Sequence, residues 1–186
     1  MSQENPFIFL IDTLFSIYIA IMLLRFILQQ VGADFYNPIS QFIVKATQPL
    51  VKNARRIIPS VRRIDTATLV LTLLLIMLKT FLLYGVLSGG VPSNSSINFL
   101  ALLLLSLRDI ISLTFNIFIF AIFIQAILSW INPDPYNPIS TLLYSITYPV
   151  LRPIQQRLPP MGGLDLSSLV ALIGLMFLKL LVLKFF

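Results

Sequence analysis

The pentapeptide YNPIS occupies residues 36–40 and returns unchanged at residues 136–140, one hundred positions later. Further identities at the same offset are the pairs Thr47 and Thr147, Pro49 and Pro149, Pro59 and Pro159, Asp65 and Asp165, Leu78 and Leu178, and Lys79 and Lys179. A repeat of fixed spacing defines the architectural unit before any single residue is interpreted. The sequence therefore predicts a tandem duplication, with one unit at residues 1–96 and the second at residues 97–186.

The composition is typical of a membrane protein. Hydrophobic residues make up 58% of the chain, charged residues only 11%, and the mean hydropathy is +0.94, which is outside the range of soluble domains. A hydrocarbon layer about 30 Å thick requires roughly 20 helical residues. Four apolar stretches are long enough, at residues 7–31, 66–87, about 108–131, and 166–186. The first stretch lacks a basic leader and a cleavage site, so we expect a retained anchor.

The predicted fold class is thus an all-α membrane protein with four transmembrane helices, in which each two-helix unit carries a long loop. Residues 97–107 are apolar but too short to cross a membrane alone. Two interpretations stay open: this segment extends a long, tilted third helix, or it lies separately at the interface. The absence of Pro and Gly between Ile97 and Ile131 favours the extension. The uncharged Gly, Pro, Ser and Asn residues of segment 88–96 predict a hinge between the halves.

Most basic residues fall in the two long loops, 32–65 and 132–165. By the positive-inside rule, both loops face the cytoplasm, whereas the two termini and the hinge face the opposite side. Each unit contains two spans, so both units are expected to enter the membrane in the same direction. This is the pattern of a parallel duplication.

Each loop opens with an Asn-Pro pair, which is a helix-start signal. In the first loop, apolar residues follow at helical spacing until Pro49 interrupts them. The pattern predicts an amphipathic, basic, Pro-broken pair of helices, with its apolar face in the headgroup zone and its basic side chains towards anionic lipid. The candidate residues for binding a partner or lipid are Asn37, Pro38, Lys52, Arg55, Arg56, Arg62, Arg63, Asn137, Pro138, Arg152 and Arg157.

Asp65 and Asp165 each precede an apolar helix and are candidate N-caps. A second interpretation, compatible with the first, places them with nearby arginines in a binding surface.

Ionisable residues inside the spans usually face protein or water. The repeat-matched Lys79 and Lys179 are the leading candidates: Lys79 is expected to pair with Asp12 or to extend its tip to the headgroups, and Lys179 to approach Asp109. Other intramembrane polar candidates are Arg25, with Asp34 or Asp65 as a proposed anchor, and its counterpart Gln125. Ser112, Asn116 and Gln125 form a polar stripe, which is more typical of helix packing than of a transport path.

The residue types that the chain lacks constrain its chemistry. There is no His and no Cys, so thiol chemistry, disulfides and the preferred zinc and iron–sulfur ligands are excluded. No phosphate-binding or nucleophile motif is present, and the seven carboxylates are scattered. The sequence predicts a protein that is not an enzyme and has no catalytic residues, metal or cofactor. No stacking aromatics interleave with the basic run, which argues against nucleic acid as a partner.

Twice the chain reads as an apolar helix, N-P-I-S, T-x-P, a basic or Gln-rich stretch, a further Pro, and an Asp that opens a second apolar helix. This arrangement resembles the YggT family of bacterial integral membrane proteins, which is related to YlmG, in its two-copy form. Arg25 and Ser129-Trp130 fit the family pattern, whereas Gln125 and Gln29-Gln30 depart from it. The resemblance implies an accessory protein of the bacterial inner membrane. With the orientation given by the positive-inside rule, its two termini are expected to be periplasmic.

Two hypotheses follow. The first is a non-enzymatic scaffold or assembly factor that presents its basic loops to an unknown membrane-protein partner or to anionic lipid, in envelope organisation or stress tolerance. The second is a channel or transporter component in ion or osmotic homeostasis, which requires a homo-oligomer because four spans make a thin pore wall.

Overall fold

The computed structural model describes residues 6–59, 64–83, 99–131, 137–157 and 166–185. This part of the chain is all-helical. Its six helices are α1 (Pro6–Val31), α2 (Pro38–Ala54), α3 (Thr66–Thr80), α4 (Phe99–Ile131), α5 (Pro138–Gln155) and α6 (Leu166–Leu183).

Four helical segments are long and apolar enough to cross a membrane: α1, α3 with its continuation to Leu83, α4 and α6. The predicted all-α class, with four helices that could span a membrane, is confirmed for the described residues. Helix α4 runs unbroken from Phe99 to Ile131. Residues 99–107 therefore extend the third span, as the first of the two interpretations expected. The predicted hinge lies outside the described residues.

Helix α1 ends at a glycine because the chain must turn there with a positive φ. Gly32 has φ 67°, a conformation that side chains with a Cβ rarely adopt. The amide of Gly32 donates to the Gln29 carbonyl at 3.4 Å, and the amide of Ala33 donates to the Leu28 carbonyl at 2.9 Å. This pair of bonds is a Schellman motif, and it redirects the chain into α2.

The helix starts predicted from Asn-Pro and Asp are also observed. The side-chain oxygens of Asn37 and Asn137 accept from the amides of Ile39 and Ile139 at 2.9 Å, and a proline follows each cap. Asp65 caps α3 by accepting from the Thr68 amide at 3.3 Å. Asp165 lies outside the described residues.

The prediction that proline breaks the loop helices is wrong. Helix α2 continues through Pro49, and α5 continues through Pro149 and Pro153. An interior proline lacks an amide donor and displaces the carbonyls of the turn before it. In α2, donors from α1 reach that turn: the Arg25 guanidinium lies 3.4 Å from the Val44 carbonyl, and the Tyr18 hydroxyl lies 3.5 Å from the Ala46 carbonyl.

The halves pack through adjacent helices. Helix α1 packs on α3, α4 packs on α6, and α3 packs on α4. Helix α2 lies against α1 and α3, while α5 lies against α4 and α6 and also contacts α1 and α2. The main core forms where α1, α2, α4 and α5 meet, from Leu23, Ile27, Leu28, Ala33, Ile43, Ala121, Leu142, Leu143 and Ile146.

The apolar face predicted for α2 is divided between the bundle and the exterior. Ile43 is buried in the core together with Ser40, Thr47 and Val51 at helical spacing, whereas Phe42 is 63% exposed. Much of the face that was predicted to meet lipid therefore meets the protein. The face that remains for other contacts is the outer one.

Candidate functional site

Helices α2 and α5 form a unit at one end of the bundle, which we call the loop-helix platform. The side-chain amide of Asn37 donates to the carbonyl of Pro138 at 2.7 Å, although these residues are 101 positions apart. Asn37 is buried. Its side chain thus caps α2 and joins that cap to the first turn of α5.

A buried arginine holds α2 to the first transmembrane helix. The guanidinium of Arg25 donates to the Thr47 hydroxyl at 2.7 Å and to the Gln48 side-chain oxygen at 3.1 Å. The Thr47 hydroxyl in turn donates a hydrogen bond to the Ile43 carbonyl at 2.7 Å. Arg25 does anchor the loop, but the predicted carboxylate partners were wrong, because α2 presents neutral acceptors directly opposite it.

The second half repeats this contact with different chemistry. The side chains of Gln125 on α4 and Thr147 on α5 are joined by a hydrogen bond, and the Thr147 hydroxyl also contacts the Leu143 carbonyl at 2.9 Å. Gln125 and Thr147 stand one hundred positions after Arg25 and Thr47. Each loop helix is therefore anchored through the same threonine position.

A third contact holds the C-terminal end of α2 to the start of α3. Arg55 pairs with Asp65, whose side chain is fully buried, and the Thr68 hydroxyl donates to the same carboxylate at 2.7 Å. Burial alone would raise the pKa of Asp65, but the hydrogen bonds from Arg55 and Thr68 and the Arg55 charge outweigh it and lower that pKa. The structure thus gives Arg55, a predicted surface contact, a structural role.

The outer face of the loop-helix platform remains exposed and basic. Among the described residues of this region, the exposed basic side chains without an ion pair are Lys45, Lys52, Arg56, Arg152 and Arg157. Pro38 and Pro138 are exposed beside them. Arg62 and Arg63 lie outside the described residues.

An aromatic ladder on α5 was missed in the sequence. The ring centroids of Tyr144 and Tyr148 are 5.5 Å apart, and the guanidinium of Arg152 lies 5.3 Å from the Tyr148 centroid. The signal was the spacing of four residues between neighbours, which places side chains on one helix face. Arginine and tyrosine are both enriched at protein interfaces.

A polar cleft lies within the membrane-spanning part, between α1, α3 and α4. The predicted pairing is confirmed: the Lys79 ammonium lies 2.7 Å from Asp12 and 2.7 Å from the Ser16 hydroxyl. The side chain is therefore held by protein partners. Ser16, Lys79, Asp109, Ser112 and Asn116 line the cleft with three apolar residues, around a volume of about 230 Å³.

The predicted partner of Lys179 was wrong. Its ammonium donates to the Asn116 side-chain oxygen at 2.7 Å rather than to Asp109. Asn116 stands one hundred positions after Ser16, so the two lysines contact repeat-matched positions on α1 and α4. That offset was readable in the sequence and identifies the contact better than the nearest carboxylate does.

Within the described ranges, no three His, Cys, Asp or Glu side chains come together in a way that would hold a metal ion. The chemistry available at the loop-helix platform is hydrogen bonding, charge and aromatic contact. At the polar cleft it is ion pairing and hydrogen bonding in the membrane-spanning region.

Comparison with known proteins agrees with this architecture. The model of the CCB3/YggT family matches residues 5–86 and again residues 104–186. The chain belongs to the CCB3/YggT family. Family membership accounts for the two segments that each contain an Asn-Pro start, a loop helix and a following apolar helix.

Several bacterial proteins are similar over most of the chain. An uncharacterized protein of Vibrio alginolyticus, described by its place in the proC 3′ region, is 47% identical, covering 93% of this chain and 91% of its own length. An uncharacterized protein of Pseudomonas aeruginosa is 44% identical over 95% and 88%. The uncharacterized protein YggT of Escherichia coli K12 is 35% identical over 89% and 83%. No solved structure matches significantly.

Proposed function

We propose that this protein is a non-enzymatic scaffold or assembly factor of the bacterial inner membrane, whose loop-helix platform binds a membrane-protein partner or anionic headgroups. The observation that carries this proposal is the contrast between the two faces of the platform. Its inner face is fixed to the bundle by buried polar contacts, whereas its outer face keeps basic and aromatic side chains exposed. Envelope organisation and stress tolerance are roles that such a scaffold would serve.

A surface fixed in advance is suited to binding. Association requires the ordering of mobile side chains and loops, and preorganisation reduces that requirement. The contacts of Arg25 and Asp65 tie α2 to α1 and α3, and the contact of Asn37 ties α2 to α5 within the platform. These residues support the surface without being part of it.

The charge of the outer face favours an acidic partner surface or anionic lipid. Near an anionic membrane, each Lys or Arg contributes about 1 kcal/mol of attraction. Lys52, Arg56 and Arg152 are exposed and make no ion pair among the described residues. Together they would contribute about 3 kcal/mol, roughly a 150-fold difference in affinity.

The proposal includes an orientation, in which the two halves are a parallel duplication and the platform is cytoplasmic. The matched Thr47 and Thr147 anchors and the cap that joins α2 to α5 at one end support the parallel arrangement. The exposed basic residues of the platform support the cytoplasmic side by the positive-inside rule. Because the chain has no cysteine, single cysteines report on topology. In intact spheroplasts, a membrane-impermeant maleimide should label Lys184→Cys and leave Arg56→Cys unlabelled until the membrane is permeabilised. Labelling of Arg56→Cys in intact spheroplasts would refute the orientation.

The scaffold function is tested by crosslinking and mass spectrometry in native membranes. We expect a crosslinked partner or an enriched anionic lipid on the wild type. In the platform variant Lys52→Gln/Arg56→Gln/Arg152→Gln, recovery of that partner or lipid should fall at least about tenfold, because the lost attraction exceeds 1.4 kcal/mol. Lys184→Gln, at the other end of α6, is the control and should retain the adduct. Equal recovery from the platform variant and the wild type would reject the proposal.

The channel hypothesis is favoured by one observation, the polar cleft around Lys79, since ionisable groups at membrane depth often mark ion pathways. The platform variant and a double lysine variant together distinguish the scaffold from the channel. If purified wild type in proteoliposomes conducts ions, and Lys79→Leu/Lys179→Leu abolishes the flux while the platform variant retains it, the oligomeric channel replaces the scaffold. The scaffold predicts no specific flux and an unchanged partner in the double lysine variant.

A further inference from the structure

An apolar groove opens on the side of the bundle between α1 and α6. Its volume is about 690 Å³, and its lining is almost entirely apolar. Helix α4 forms its floor, and Leu142, Leu143 and Ile146 of α5 close the end nearest the loop-helix platform. Along α4, the lining extends from Asn116 to Phe123, about 10 Å at 1.5 Å per residue.

The groove exists because the two halves close on one side only. Helices α3 and α4 pack together and join the halves there. On the other side, α6 packs on α4 and α5, while α1 packs on α2, α3 and α5 and only lightly on α4; α1 and α6 are not a packed pair. The seam between α1 and α6 is therefore open towards the hydrocarbon of the membrane.

A lysine stands at the end of the groove away from the platform. Leu172 and Met176 of α6 line the groove, and Lys179 follows on the same helix face, three residues after Met176. Its ammonium donates to Asn116, which also lines the groove. Among the described residues, Lys179 has no carboxylate partner, in contrast to Lys79, whose charge is paired with Asp12.

We propose that this groove binds one anionic phospholipid, with an acyl chain along α4 and the phosphate at Lys179. The site is separate from the loop-helix platform and does not depend on the scaffold function. Helix α6 starts beside the platform, and Lys179 lies 13 residues later, about 20 Å along the axis. The lipid therefore belongs to the leaflet opposite the platform.

Charge and shape favour a lipid over a protein helix in this groove. A membrane-facing ammonium without a counter-ion attracts an anion, and the flexible stem of a lysine can extend its charge towards the phosphates of the leaflet opposite the platform. Close helix packing in membranes uses stripes of small residues. Here the lining is mostly bulky, including Leu24, Phe120 and Phe123, and fits a flexible chain better than a second backbone.

The test is native mass spectrometry of the full chain in detergent, titrated with phosphatidylglycerol or with phosphatidylethanolamine. The wild type should retain one phosphatidylglycerol in preference to phosphatidylethanolamine. Lys179→Leu should weaken the retention of phosphatidylglycerol at least about tenfold, which corresponds to 1.4 kcal/mol, and Lys179→Arg should preserve it. Lys184→Leu, five residues along, is the matched control and should bind like the wild type.

A second variant tests the chain-binding part and does not alter any charge. Ala20 lines the groove and is only partly buried, so Ala20→Phe should fill the space and weaken both lipids alike. This variant and Lys179→Arg decide the question if Lys179→Leu does not fold. Three results would overturn the proposal. The wild type could retain no lipid, or Lys184→Leu could lose as much phosphatidylglycerol as Lys179→Leu does. The wild type could also form a dimer instead of a lipid adduct, with Ala20→Phe dissociating that dimer.

Discussion

Replacing Arg25 by leucine should destabilise the protein by at least about 1.5–3 kcal/mol, the contribution of a hydrogen bond to a charged group. The guanidinium is buried and donates to Thr47 at 2.7 Å and to Gln48 at 3.1 Å, and both bonds tie α1 to α2. Without them, the turn before Pro49 also loses a donor near the Val44 carbonyl. We expect a lower midpoint for thermal loss of helicity in detergent micelles, measured by circular dichroism.

The second half supplies the control for this prediction. Gln125 occupies the position matched to Arg25 and still bonds to its threonine. Arg25→Gln should therefore retain part of the contact and lose less stability than Arg25→Leu. If both variants unfold at the wild-type midpoint, Arg25 does not anchor the loop-helix platform.

Replacing Asp65 by alanine should have a similar effect, about 3 kcal/mol, because it removes an N-cap of about 1 kcal/mol together with charged hydrogen bonds of about 1.5–3 kcal/mol. Arg55 is 42% exposed, so water screens its share of the loss. Asp65→Asn keeps an oxygen for the Thr68 amide and should lose less. The unfolding free energy of both variants, measured at neutral pH, checks this order.

The pH dependence gives an independent measurement at the same site. Because burial is outweighed by the bonds from Arg55 and Thr68, the pKa of Asp65 lies below its ordinary value of 3.8. A carboxyl group with a lowered native pKa stabilises the fold above its unfolded pKa and loses that contribution as the pH falls through the native pKa. The stability gap between wild type and Asp65→Asn should thus narrow as the pH falls below 4. A gap that widens on acidification would contradict this account.

Features set by local spacing were predictable from the sequence. The lengths of the apolar stretches predicted the spans. Asn37 and Asp65 directly precede their helices, where an N-cap is expected. The repeat offset indicated Lys79 as an intramembrane residue that could reach Asp12. Each of these depends on residues close in sequence or on the length needed to cross a bilayer. The long third helix was favoured for the same reason, since nothing in its sequence interrupts it.

Features that depend on tertiary partners were not predictable in the same way. Pro49 lies inside a continuous helix that Arg25 and Tyr18 contact from α1. The residues near Pro49 in the sequence do not predict those contacts. Arg55 belongs to a loop rich in exposed cations, and only the fold pairs it with a buried carboxylate. The groove between α1 and α6 has no sequence signal, because it arises from helix pairs that do not pack.

The most direct test of the central claim is photo-crosslinking in living cells from a benzoylphenylalanine placed on the loop-helix platform. Tyr144 is 55% exposed on α5, and Leu74 on α3, which does not line the lipid groove, is 52% exposed and serves as the control on a transmembrane helix. The scaffold account predicts a discrete protein adduct, or a marked enrichment of anionic lipid, at Tyr144 and not at Leu74. Identical adducts at both positions, or none at Tyr144, would contradict it.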